Sequence, residues 1–408
     1  MAPWLSCLLL IGASAPLLTD RGPVPVLGVD YSGSLDRPPV TQWIRRLPGT
    51  PASAATNSEL ARPLIHGDVM YVGTAGADAL YVLRRDDGSV SSSFDAGAPV
   101  MSQPVLVDGG LVFADGAGYT WCYDLEGRQR WRHYAGAPVL SSPMIQGDTV
   151  YVSALDGSLH ALDLASGESR WLYKHPGDRS RESELELYGA PAPVAAGDLV
   201  LVGFHDGSLV ALSHDSGEIA WKVGVGEGRY PDLIGEPLAT ASDVFAGGFS
   251  APFQAIDIAT QNVRWSLDFG IASPPILHER TLFVPGSDGK LRAIDSLNGG
   301  IVWEWDSETS GALTQPQFTD AGLLVASSDG GIWLVDSATG VASWTYDDGT
   351  MINGVSVAPA VDGRQVVMVT NAGNILSLLV PATAQVMDEV LEPPWTAPFG
   401  AAPAPGAD

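Results

Sequence analysis

The residues of this chain that could do chemistry are seven histidines, two cysteines and a long series of aspartates. His66, His133, His160, His175, His205, His214 and His278 are scattered, with no metal-ligand spacing such as H-E-x-x-H. No G-x-S-x-G nucleophile elbow is present. Cys7 and Cys122 lie far apart and imply no disulfide framework. The aspartates keep a rhythm: Asp156, Asp206, Asp288 and Asp329 each precede a glycine, and Asp163, Asp257, Asp295 and Asp336 each open the next turn. Aspartate caps turns through its own side chain, so these residues read as turn formers. No catalytic residue, metal ligand or cofactor is assigned.

Binding chemistry is better represented. Two irregular stretches, KHPGDRSRESELELYGAPAP after Trp171 and GVGEGRYPDLIGE before Pro237, carry Leu185, Leu187, Tyr188, Tyr230 and Leu233. Arg179, Arg181, Glu184 and Asp232 fringe them. An apolar centre with a polar rim is what a protein-binding patch needs. The alternative is a solvated loop with Leu185 and Leu187 tucked onto their own sheet.

The elements that must position these stretches are repeats. Residues 142–171 read as four short strands, with turns at Gly147-Asp148, Asp156-Gly157 and Ser166-Gly167. Asp-Gly between alternating runs is a strong hairpin signal, because both residues tolerate positive φ. The prolines that open the first strand are Pro63, Pro104, Pro143, Pro193, Pro237, Pro275, Pro316 and Pro359, at steps of 41, 39, 50, 44, 38, 41 and 43 residues. The closing aromatics are Phe94, Trp131, Trp171, Trp221, Trp265, Trp303 and Trp344. Four strands every 40 or so residues indicate an all-β propeller of antiparallel blades. The last unit stops before its tryptophan, and TQWIRRLPG around Trp43 is a fourth strand without its first three. Pairing of the two ends predicts eight blades, the eighth shared between the termini, over residues 40–380. In a meander, the turns between second and third strands and the links between blades emerge on one face. The two irregular stretches are adjacent links and are expected side by side. The tryptophans, Trp43 included, are expected to pack between blades.

Composition narrows the partners. A net charge of −26 over 408 residues leaves no basic footprint for nucleic acid. Residues 1–19 are apolar and small, resembling a secretory signal, and no later run reaches the length of a membrane span. Cys7 sits near the start of that run with Trp4-Leu5-Ser6 before it, unlike a lipoprotein signal. Residues 20–39 read as an extended lead-in. The Pro- and Ala-rich residues 381–408 read as a flexible tail.

The segments Ala161–Trp171 (ALDLASGESRW), Ala211–Trp221, Ala255–Trp265, Ala293–Trp303 and Leu334–Trp344 follow A-h-D-x-x-[ST]-G-x-x-x-W more or less closely. They resemble the PQQ-like propeller repeats with their tryptophan docking motifs. Enzymes of that superfamily imply a PQQ-dependent dehydrogenase, but their alcohol dehydrogenases typically carry adjacent cysteines, which this chain lacks. A closer resemblance lies in ELELYGAPAP, which is similar to L-x-L-R-G-x-S-A-P of the BamB family of outer-membrane protein assembly factors. It implies a non-enzymatic, monomeric periplasmic scaffold, free or at the outer membrane. Such a scaffold would bind BamA periplasmic domains and unfolded outer-membrane proteins. The family's two leucines and arginine contact BamA and match Leu185, Leu187 and Tyr188. A D-x-D motif before a strand-opening proline matches Asp232 and Ile234. Tyr188 stands where the family has arginine and Ile234 where it has aspartate, which leaves open a propeller with another protein partner.

Overall fold

A computed structural model of the chain describes residues 39–47, 49, 61–176, 191–226, 232, 233, 235–346 and 354–381. These residues form eight four-stranded antiparallel sheets and no helix, an eight-bladed propeller. Blades 1 to 7 each use four consecutive strands. In blade 3 these are Met144–Gln146, Thr149–Ser153, Ser158–Asp163 and Ser169–Lys174, called A to D from the inside outwards. Blade 8 takes Ala360–Asp362, Gln365–Val369 and Asn374–Leu379 from one end of the chain and Val40–Arg46 from the other. The terminal strand pairs in the register expected for a D strand, Ile44 opposite Leu376 and Arg46 opposite Asn374.

Apolar burial shows why the ring closes. The buried residues fall into eight clusters, each bridging two consecutive blades. One joins Val367, Val369, Ile375 and Trp43 of blade 8 to Met70, Val72 and Leu83 of blade 1. A lone meander has two apolar faces and can bury neither, so each blade needs both neighbours. Pairing of the termini makes the last seam like the others and leaves no blade face bare. Cys122 is a free thiol inside the seam between blades 2 and 3.

The outer tryptophans bind each blade to the next. Trp131 lies over Gly167 in the C–D turn of blade 3, where φ is +72° and an added Cβ would stand 2.6 Å from the ring. Its indole N–H donates to Leu164 O at 2.8 Å. Trp43, Trp171, Trp265 and Trp303 repeat the bond to Arg85 O, His214 O, Ser296 O and Ser337 O at 2.9–3.2 Å. The indole nitrogens of Trp221 and Trp344 are buried without a partner. In both places another side chain holds the matching carbonyl: Gln261 Nε2 donates to Ile258 O at 3.0 Å, and Arg364 Nε donates to Val380 O at 2.9 Å. Every C–D pair also carries a register shift beside the aromatic residue, for example between Ala161 and Leu162, which twists the outer strand. The aspartates cap turns as their sequence positions predict. Asp163 Oδ1 accepts the N–H groups of Ala165 and Ser166, and Asp257, Asp295 and Asp336 act alike.

Candidate functional site

Strand alternation places the B–C turn of blade 4, residues 204–207, on the same face as the two irregular links, and the side chains show how it holds them. The first link leaves strand Ser169–Lys174 through His175. That ring stacks on Phe204, with centroids 3.9 Å apart and planes 11° from parallel. Its Nε2 lies 3.0 Å from Asp206 Oδ2, and its Nδ1 lies 3.1 Å from the Tyr173 hydroxyl. Asp206 also accepts the Ser208 N–H at 3.0 Å and faces Lys222 Nζ at 3.3 Å. Burial pushes the Asp206 carboxyl up, but hydrogen bonds from His175 and Ser208 outweigh it and hold the carboxylate well below its usual range.

The second link is tied to the same turn. The N–H groups of Val225 and Gly226 donate to Gly207 O at 2.8 and 3.1 Å, and Leu233 N–H donates to Phe204 O at 3.3 Å. Asp232 Oδ1 lies 3.4 Å from His205 Nδ1. One tetrapeptide therefore holds the described ends of both links. Leu185, Leu187, Tyr188 and Tyr230 lie outside the described residues, as do Arg179, Arg181, Glu184 and Ile234.

Leu233 corrects the sequence reading. Expected in an exposed apolar cluster, it is 2% exposed and packs with Leu201, Val225 and Ile256 in the seam between blades 4 and 5. The cause is Gly203, where an added Cβ would stand 2.9 Å from Leu233 Cβ. The bare backbone opens a seat that Ser153 fills in blade 3. Leu233 thus anchors the link and offers no surface to a partner. Asp232, with its side chain 15% exposed, lies at the margin. Sequence reasoning missed His175 and Phe204, whose only signal was a histidine-proline step directly before the long insertion.

A second polar group sits where the A strands surround the axis. Arg62, just before blade 1 strand A (Leu64–His66), reaches past blade 8 and donates from Nη2 to Gln317 Oε1 of blade 7 at 2.6 Å. Glu236, which opens blade 5, feels the Arg62 charge; burial pushes its carboxyl up to about 7 while Arg62 pulls the other way. Among the described residues no cluster of three or more histidine, cysteine, aspartate or glutamate side chains could hold a metal ion, and no helix is long and apolar enough to cross a membrane.

A family model described as outer membrane protein assembly factor BamB matches residues 78–304 and 270–394. BamB of Shewanella oneidensis is 22% identical over 194 residues, covering 47% of this chain and 49% of that protein; the chain thus spans about half the length of the curated relative it matches. BamB of Moraxella catarrhalis shares the fold with a TM-score of 0.69 at 18% identity, over 84% of this chain and 99% of that one. Quinohemoprotein alcohol dehydrogenase of Comamonas testosteroni shares it with a TM-score of 0.65 at 14% identity, over 85% and 77%. The propeller carries the pattern of one family through most of its blades, and the chain belongs to the outer membrane protein assembly factor BamB family.

Proposed function

We propose that this protein is a non-enzymatic periplasmic scaffold of the BamB type, which assists assembly of outer-membrane β-barrels by docking BamA periplasmic domains. Membership of the BamB family carries the reading. The rooting of the described ends of both irregular links on residues 204–207 supports it. On this reading Leu185, Leu187 and Tyr188 supply the apolar contact, Tyr230 flanks it, and Asp232 supplies charge at its edge. Such a patch binds through a few buried anchors inside a polar rim, and extended outer-membrane polypeptides are guided by the opposite face.

Leu187→Asp tests this, since it introduces a charge at the proposed anchor. Capture of BamA periplasmic domains by the purified protein is expected to fall at least about tenfold, with the unfolding midpoint unchanged. Undiminished capture would remove the assignment. The fold-level likeness to quinohemoprotein dehydrogenases carries the competing reading, PQQ-dependent dehydrogenase activity. Among the described residues no cluster of three or more histidine, cysteine, aspartate or glutamate side chains is placed to hold the metal ion that would accompany that cofactor. Adding PQQ and calcium is expected to give no bound quinone absorption and no dye reduction with alcohols or sugars.

A further inference from the structure

The face that carries the two irregular links holds an exposed aromatic side chain on blade 5. There strand B (Asp243–Ala246) and strand C (Phe253–Asp257) are joined by residues 247–252, Gly-Gly-Phe-Ser-Ala-Pro. Blades 3, 4 and 6 make the same connection with four residues that end in Asp-Gly. Blade 5 uses six, and Phe249 at the tip is 47% exposed. Among the described residues of the B–C turns and the links between blades, no other large apolar side chain is exposed. Leu125, Leu297 and Val341, also exposed, sit on C–D turns of the opposite face.

The backbone around Phe249 is pinned although its ring is not covered. Ile271 N–H donates to Gly248 O at 2.9 Å, and Phe253 N–H donates to Phe269 O at 3.0 Å, so the turn is bonded to the link between blades 5 and 6. Gly270 lets that link pass close by: an added Cβ would stand 1.9 Å from Phe249 O. Ile271 is fully buried and also supports the described end of the second irregular link, where a Cβ added to Gly235 would stand 3.0 Å from Ile271 Cδ1. The second link and the Phe249 turn therefore rest on one side chain. The turn lies between two links, and each contributes a carboxylate. Asp232 comes from the second irregular link, beside His205. Asp268 comes from the link that follows; it is exposed and has no ion-pair partner among the described residues. Single apolar side chains on a surface are ordinary. This one is an aromatic held outward on a fixed turn, against the root of a docking loop and between two acids.

We infer that the docking surface continues onto blade 5, where Phe249 enters an apolar pocket of the partner and Asp232 and Asp268 face basic side chains at that pocket's rim. The inference rests on the reading above, in which the partner is a folded periplasmic domain. An aromatic anchor on a backbone that is already ordered has little freedom left to lose, so its burial converts efficiently into affinity. The carboxylates speed the encounter, an effect that salt screens.

Association and dissociation of BamA periplasmic domains on the immobilised full chain test the surface. Phe249→Ser is expected to weaken binding at least about tenfold with the unfolding midpoint unchanged, as for loss of a central anchor. Asp268→Lys is expected to slow association and to flatten its dependence on salt. If Leu187→Asp abolishes capture while Phe249→Ser leaves affinity unchanged, or Asp268→Lys leaves the association rate unmoved, the inference is overturned and the docking reading stands. Absence of capture by the unaltered protein removes that reading and the inference with it. Should Phe249→Ser lower the unfolding midpoint, hydroxyl-radical labelling of the unaltered protein decides. Phe249 is expected to be protected in the complex, and labelling equal to that of the free protein is fatal.

Discussion

Gln261→Gly is expected to stabilise the propeller by about 1–2 kcal/mol, against the usual direction for glycine introduced into a folded chain. Gln261 occupies the turn position held by Gly167, Gly217, Gly299 and Gly340 in blades 3, 4, 6 and 7, and it keeps their positive φ, at +59°. A residue with a Cβ in that region carries a strain of about 1–2 kcal/mol. It also forfeits a bond. The ring of the preceding blade normally lies on the bare glycine and donates to the carbonyl of the turn, as Trp131 does to Leu164 O. At this seam the Gln261 amide occupies Ile258 O and Ala259 O at 3.0 and 2.9 Å, and the Trp221 indole N–H is buried unpaired. A buried unsatisfied donor costs about 1–3 kcal/mol. Against these gains stand the loss of two partly exposed amide bonds and about 0.5–1 kcal/mol of chain entropy. Urea midpoints of the two proteins measure the difference. Gln261→Ala serves as control, since it frees the carbonyl while keeping the strain, and should gain less. A glycine variant less stable than the parent would show that Trp221 is seated by something other than this turn.

That exception was visible in the sequence, where AIDIATQNVRW breaks the [ST]-G pattern at one letter. Its meaning needed the structure, because the acceptor and its rival meet only when blade 4 is laid against blade 5. The same division runs through the molecule. Strand-opening prolines, Asp-Gly turns and outer tryptophans have fixed spacing, so blade number and the blade shared between the termini could be read from letters alone. The Trp344 seam follows from that sharing: blade 8 has no C–D turn, and Arg364 holds the carbonyl a turn would have offered. Contacts peculiar to one pair of blades have no period. His175 meets Asp206 across 31 positions, where blade 4 packs on blade 3, and Arg62 meets Gln317 across 255, brought together by the closing of the ring. Leu233 was misread for the opposite reason. Its neighbours in the chain, Asp232 and Ile234, do not mark it as buried, and the space that takes it is made by a glycine on another strand.

The seam between blades 2 and 3 should make the protein sensitive to mild acid, with a loss of about 2 kcal/mol of stability between pH 6.5 and 5 from one histidine. His160 is 7% exposed. Its Nε2 lies 3.0 Å from Ser158 Oγ, whose hydroxyl donates to Asp156 Oδ1 at 2.6 Å. With that proton committed, Ser158 Oγ accepts from His160 Nε2–H, so Nδ1 is bare and accepts from His133 Nε2 at 3.2 Å. The chain of donors runs one way, from His133 to Asp156, and it requires a neutral His160. Burial, with the His133 charge, pushes this imidazole down to about 4. The folded value lies below the unfolded one, near 6.5, so the unfolded chain takes up the proton first as pH falls. The contribution is complete above pH 6.5, declines as pH drops towards 4, and is constant below. At about 1.4 kcal/mol per unit it totals about 3 kcal/mol across the window. His133, also lowered by burial, adds in the same direction.

Above pH 5 most carboxylates remain ionised; Glu236, raised to about 7, takes up its proton in this range and acts in the opposite direction, equally in parent and variant. Urea midpoints at pH 7.5, 6.5, 5.8 and 5.0 therefore isolate the histidine as the difference between the parent protein and a variant without it. His160→Gln removes the titration while its amide can still donate to Ser158 and accept from His133. Its stability is expected to be lower at pH 7.5 and, between pH 6.5 and 5, to change by about 2 kcal/mol in its favour relative to the parent. An equal slope in both proteins would mean that His160 is hydrated or already charged in the folded state. The directed chain from His133 to Asp156 could not then be what holds this seam.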